Sequence, residues 1–165
     1  MALQVGLIAG LLFATGWTAA AETLNPQDGA LLAPAAATAL LHQCSRVSPK
    51  DFQGSWTPAA QQIRDLESAL PAALQAELKN YPRIKLDSAM TVRQYAGLVL
   101  AGHKIIYVNA LPRSHAINPN LPPMFLPDWR YKADMVCDGG PGFFGVEYDP
   151  ATKRFAHFAF NGPFR

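Results

Sequence analysis

The stretch TVRQYAGLVLAGHKIIYVNAL, Thr91 to Leu111, decides the fold. Two runs rich in Val, Ile, Leu and Tyr flank Ala101-Gly102-His103, a short turn signal, and together they predict a β-hairpin. Upstream, WTPAAQQIRDLESALPAALQAELKN (56–80) changes period: Ile63, Leu66, Leu70, Leu74 and Leu78 recur at three- and four-residue steps, the mark of a helix with one buried face. Thr57 is the expected cap and Pro58 the first helical residue. Pro71 removes one backbone hydrogen bond, but the apolar stripe keeps its phase across it, so a kink is expected rather than a break.

Further out, Pro34 inside an Ala/Leu-rich run predicts a helix ending near Cys44 or Ser45, with Leu40, Leu41 and Cys44 on its buried side. SRVSPKDFQGSW (45–56) has no periodicity and reads as a loop. Downstream of the hairpin, prolines at 112, 119, 122, 123 and 127 exclude regular structure from PRSHAINPNLPPMFLPDWRY. That loop carries Arg113, His115, Phe125 and Trp129. These residues contact a partner, or else Phe125, Leu126 and Trp129 cover an open side of the core. The last third predicts strands ADMVCD (133–138), FFGVEY (143–148) and RFAHFAFN (154–161), separated by a Gly/Pro turn and by DPATK. The expected architecture is α+β: N-terminal helices packed on one antiparallel, meander-like sheet of about five strands.

The segment before Glu22 has no charged side chain, an apolar run to Phe13 and Ala19-Ala20-Ala21 at its end, the pattern of a secretory signal cleaved after Ala21. Residues 1–21 are therefore expected to be a signal peptide and 22–165 a single domain. Retention of the segment as an N-terminal membrane anchor is the alternative. Export places the protein in the periplasm or outside the cell, where disulfides persist, and only Cys44 and Cys137 are available to pair. The bond would close a loop of about 94 residues and contribute on the order of 4–5 kcal/mol through chain entropy. CxxC and HxxxH spacings are absent, so no metal and no other cofactor is expected.

Lys and Arg number 14 against 12 Asp and Glu, scattered along the chain. That balance gives no electrostatic footprint for nucleic acid, and membrane contact is expected only if the N-terminal segment is retained. Gly140-Pro141-Gly142-Phe143-Phe144-Gly145 matches a dinucleotide-binding fingerprint in letters. The fingerprint works by leading into a helix N-terminus, whereas FFGVEY leads into a strand. Its glycines, with Pro141 and Asp138 hydrogen-bonding within its own turn, read instead as a chain reversal. Gly145 marks a bulge or the close approach of another group.

Glu147, Arg154 and His157 lie on the last predicted hairpin. Small secreted ribonucleases of the barnase type also pack helices on an antiparallel sheet and use Glu and His there, so an acid–base pair on one face invites comparison. EYDPATKRF resembles the turn of the second hairpin of the protein G B1 domain over these few residues. The resemblance implies a loop Pro150–Lys153 with Lys153 left-handed, Asp149 opposite Arg154, Tyr148 opposite Phe155 and Val146 opposite His157. Glu147 then faces the other side with Ala156 and Phe158, and the pair is broken. A left-handed Lys costs what glycine would not, so a register that unites Glu147 with His157 is the alternative.

The reading is an exported, bacterial-type binding module of the inhibitor or immunity type. Its partner is another protein of the envelope or exterior, and its binding candidates are Arg113, His115, Phe125, Trp129 and Asp138. The alternatives are a small secreted, ribonuclease-like hydrolase using Glu147, His157 and Arg154, or Arg113 and His115, and an envelope protein held by its N-terminal segment. Intact-mass measurement on exported protein is expected to give a chain beginning at Glu22 that lacks the two hydrogens lost on disulfide formation. A chain retaining residues 1–21 would favour the anchored form.

Overall fold

The computed structural model describes residues 28–117 and 128–162, so the expected signal segment, Phe125 and Leu126 lie outside the described residues. In chain order the elements are β1 (Gly29–Leu31), α1 (Pro34–Ala37) followed by a 3-10 turn (Thr38–Leu41), β2 (Phe52–Ser55) and α2 (Ala60–Leu78). They continue with a 3-10 turn (Ser88–Met90), β3 (Thr91–Leu100), β4 (His103–Pro112), α3 (Arg113–Ala116), β5 (Phe144–Asp149) and β6 (Arg154–Phe160). The fold is α+β, with one six-stranded sheet in the order β1-β3-β4-β5-β6 and β2 also on β3.

The β3–β4 hairpin is in register along its whole length, from Thr91 opposite Pro112 to Leu100 opposite His103. Its turn is two residues, Ala101 (φ 47°) and Gly102 (φ 85°), the left-handed pair that matches strand twist. From there β4, β5 and β6 continue as an antiparallel meander. The sheet as a whole is mixed rather than antiparallel, because β1 pairs parallel with Arg93–Tyr95 of β3. β2 takes the other end of the same strand, antiparallel to Leu98–Leu100. The extended Gly29–Leu31 carries no strand signal of its own, and Phe52–Ser55 was expected as loop.

Every β3 residue except Val99 is buried, because both faces of the sheet are covered at this strand. On one face the α2 stripe of Ile63, Leu66, Leu70, Leu74 and Leu78 packs on Tyr95, Ile106, Val108, Phe144, Val146 and Tyr148. Glu67 of α2 accepts from Arg93 at 2.7 Å and from the Tyr95 hydroxyl at 2.9 Å. Burial, reinforced by the Glu67 charge, pushes the Tyr95 hydroxyl far above its ordinary range. On the opposite face, Leu32, Ala37 and Leu40 cover Ala96, Leu98, Ile105 and Tyr107, while Trp129 and Ala116 join Val92, Leu111 and Phe143.

α2 is continuous through Pro71. It begins at Ala60, not Pro58: Ala59 occupies the cap, its N–H donating to Gln62 Oε1 at 2.9 Å. The entry is delayed because Pro58 and the Trp56 carbonyl pack directly over Gly97, where any Cβ would collide with them. The first helix is also shorter than expected, stopping at Ala37 with a 3-10 continuation to Leu41. Leu40 is buried, but Cys44 lies beyond the helix, bonded to Cys137 with Cα atoms 5.5 Å apart.

ADMVCD forms no strand. Side-chain amides from the sheet take up its backbone groups instead: Asp134 N–H donates to Gln94 Oε1 at 3.0 Å, and its carbonyl accepts from Asn109 Nδ2 at 2.8 Å. Asn161 Nδ2 donates likewise to the Val136 carbonyl. The segment therefore lies on the sheet as irregular cover.

Gly145 allows the Tyr107 side chain to lie across β5; a Cβ there would overlap the Tyr107 hydroxyl. Gly145→Ala is expected to lower stability by about 1–3 kcal/mol through overpacking, measured by urea unfolding. Ala at Gly102, where nothing crowds the Cβ position but φ is 85°, should cost about 1 kcal/mol through backbone strain alone.

Candidate functional site

The face opposite α2 is covered only in part. Beyond Tyr107 it opens into a groove of about 700 Å³ between residues 47–51 on one side and β4, β5 and β6 on the other. Leu100, Ile105 and Tyr107 contribute its apolar floor, with Glu147, Arg154 and His157 from the last hairpin and Lys50 from the facing segment.

The hairpin carries the decisive geometry. Asp149 stands opposite Arg154 and Tyr148 opposite Phe155, and Lys153 is left-handed (φ 56°), as the turn resemblance implies. Asp149 fixes this turn by accepting from the Ala151 N–H at 2.8 Å and the Thr152 hydroxyl at 2.9 Å. Burial raises the Asp149 pKa, but these hydrogen bonds outweigh it and hold the carboxyl below the usual carboxylate range. Lys153 Nζ, 3.1 Å from Asp65, ties the turn to α2.

The expected register ends after Glu147, which stands opposite Ala156. Gly145 then stands opposite Ala159, so His157 and Phe158 together face the single residue Val146. This is a β-bulge. His157 has φ 54°, and its side chain stays on the groove face beside Ala156 while Phe158 returns to the α2 face. The expectation that Glu147 and His157 are separated is therefore corrected: His157 Nδ1 lies 2.8 Å from Glu147 Oε2, with the two side chains 76% and 14% exposed. Arg154 lines the same groove.

Two anchors fix the strand on either side of the bulge. The Asp149 turn sets Arg154–Ala156. At the other end Phe160 is buried in the core, and Asn161 donates its N–H to the Phe143 carbonyl at 2.9 Å. One residue too many lies between these anchors, and it is accommodated at His157.

The wall formed by 47–51 is positioned from its N-terminal side. After Cys44, Ser45 Oγ accepts from Gly162 N–H at 3.1 Å. Arg46 then donates to Asn161 Oδ1 at 2.8 Å, to the Tyr107 hydroxyl at 3.3 Å and to Asn109 Oδ1. Burial raises the Tyr107 pKa, and the Arg46 charge opposes that rise.

The residues expected to bind a partner are elsewhere. Arg113 pairs with Asp28, and His115 Nε2 lies 3.0 Å from Asp134 Oδ2 with its ring edge-on to Phe143. Trp129 is buried at 3% exposure, serving as core cover rather than contact surface. Asp138 is itself left-handed (φ 56°) and accepts from Ser45 Oγ at 3.3 Å rather than from its own turn. Among its neighbouring glycines only Gly140 has positive φ. No group of three or more metal-ligating side chains occurs among the described residues. Lys50, Arg46 and Tyr107 were not singled out by sequence; Arg46 and Lys50 sit in a segment without periodicity, and Tyr107 reads as an ordinary strand residue.

Compared with protein-family models, curated proteins and solved structures, the chain matches none of them.

The left-handed backbone at His157 sets an order of stabilities. His157→Gly is expected to equal or exceed the native chain by up to about 1 kcal/mol, and His157→Val to lose about 1–2 kcal/mol, since a β-branched residue tolerates this conformation least. Equal urea midpoints for the Gly and Val variants would contradict the bulge.

Proposed function

We propose that the chain is an exported binding module of the inhibitor or immunity type, and that a segment of its partner protein enters the groove beside β6. The observation that carries this reading is the open groove of about 700 Å³ on the face that α2 does not cover. Its size is that of ordinary ligand sites, and its apolar floor with a few polar groups has their composition. A strained, non-glycine residue at a bulge supports a role for His157 there, since such outliers cluster at functional sites. The Cys44–Cys137 bond agrees with an oxidising compartment outside the cytoplasm. The proline-spaced loop supports the reading less, because Arg113, His115 and Trp129 are engaged within the fold.

A photo-cross-linking residue at Ala156, in the groove, is expected to capture a defined partner in the envelope fraction. The same residue at Ala76, exposed on α2, is not. Ala159→Trp, which fills the groove, should abolish the capture. Equal capture from both positions, or from neither, would remove the binding-module reading.

One observation favours a second reading, a small secreted hydrolase: the Glu147–His157 contact of 2.8 Å with Arg154 in the same groove. A carboxylate that orients an imidazole is a recurrent general-base arrangement. Purified protein would then cleave single-stranded RNA, and Glu147→Gln and His157→Gln would each slow cleavage by about 100-fold or more. Cleavage that persists in both variants, or no cleavage at all, excludes it.

A further inference from the structure

The Cys44–Cys137 bond lies at the surface: both half-cystines are exposed, and neither belongs to a helix or strand. The segments it joins have little else to hold them. Of residues 42–51 only Pro49 is buried, and of residues 135–142 none is. Among the described residues, the backbones of 43–50 and 133–139 make no hydrogen bond to any other backbone group. The core between α2 and the sheet includes no residue of either segment.

The attachments beside the bond come from side chains. Ser45 Oγ accepts from the Gly162 N–H at 3.1 Å and donates to Asp138 at 3.3 Å. Arg46 reaches Asn161, Tyr107 and Asn109 through its guanidinium, at the end of a long side chain that leaves its backbone free to shift. Residues 47–51, next along the chain, are one wall of the groove. Exposed disulfides are the labile and regulatory class, because an attacking thiolate reaches the sulfur while the chain stays folded. With no further cysteine in the chain, the reduced pair can re-form only the same intramolecular bond.

We infer that Cys44–Cys137 is a redox latch on the groove wall, opened by a dithiol reductant of the CxxC class and closed by exchange with a disulfide oxidant. The reductant's thiolate attacks one sulfur and the S–S bond breaks, giving a mixed disulfide and one cysteine thiolate, which takes up a proton. The reductant's second thiol, as thiolate, then displaces the other cysteine, which is protonated in turn. The reductant leaves as a disulfide, and the chain has gained two electrons and two protons. Opening frees 42–51 from the cover at 133–142 and releases the groove wall, while the side covered by α2 keeps its packing. The latch acts on the shape of the groove whatever enters it, so it stands independently of the binding-module reading.

The test treats the full native chain with reduced thioredoxin, a CxxC dithiol, and traps free thiols by alkylation. Both cysteines are expected to be alkylated, at a rate that urea below the unfolding transition changes by less than about threefold. Amide hydrogen exchange in the reduced chain should be faster by about tenfold or more over 42–51 and 133–139, and unchanged over α2 and the β3–β4 hairpin. The double variant Cys44→Ser, Cys137→Ser should show that same pattern with or without reductant. Oxidised glutathione should return the reduced chain to a mass lower by two hydrogens and to its original exchange. Reduction only at urea concentrations that unfold the chain, unchanged exchange over 42–51 after reduction, exchange that rises over α2 as well, or failure of the bond to re-form would each overturn the latch.

Discussion

The Arg46 guanidinium organises the face of the sheet that α2 leaves free. It reaches Tyr107 and Asn109 on β4 and Asn161 just beyond β6, so one side chain spans the three strands that carry the groove. A partly buried cation needs its donors satisfied, and here neutral oxygens do so without a carboxylate. Asn109 can accept from Arg46 because its amide nitrogen is already committed to Gln94 and to the Asp134 carbonyl. The network is thus continuous from the Cys44–Cys137 bond, through Ser45 and Arg46, to the irregular cover at 132–136. Gly145 is the one position in it that has to lack a side chain, because Tyr107 occupies that space.

This dependence explains which parts of the fold were legible in the sequence. The β3–β4 hairpin and the α2 stripe announce themselves because burial repeats at the period of the element that is buried. The disulfide is legible because the chain has only two cysteines, which can pair within it in one way. β1 and β2 are not legible, since three or four residues paired to the far edge of β3 owe their extension to that strand and not to their own composition. ADMVCD fails for the converse reason: it has strand composition, but its backbone is satisfied by Gln94, Asn109 and Asn161. Gln94 and Asn109 stand directly opposite each other on the β3–β4 hairpin, and that polar pair is the sequence signal of the network.

The site was legible in its residues and not in its geometry. Glu147, His157 and Arg154 are recognisable as chemistry-bearing groups, and the turn beside them was read correctly down to the left-handed Lys153. The register beyond the turn is set from both ends of β6. A local motif reports only one of those ends. The count of residues between the Asp149 turn and the Phe160–Asn161 anchor decides the rest, and it places Glu147 and His157 together. In the proline-spaced loop the sequence leaves Trp129 open between contact surface and core cover, and the structure shows the second, with Trp129 sealing Val92 and Leu111.

The same bulge has a consequence for how molecules of this chain behave towards one another. β6 ends the sheet path, and a straight seven-residue strand in that place would offer its unpaired backbone to any passing chain. A left-handed residue in its middle breaks that template into two pieces too short to recruit a neighbour. At the opposite border β1 and β2 are only three and four residues long. A sheet whose central strands are buried on both faces is in this way kept from growing at either border.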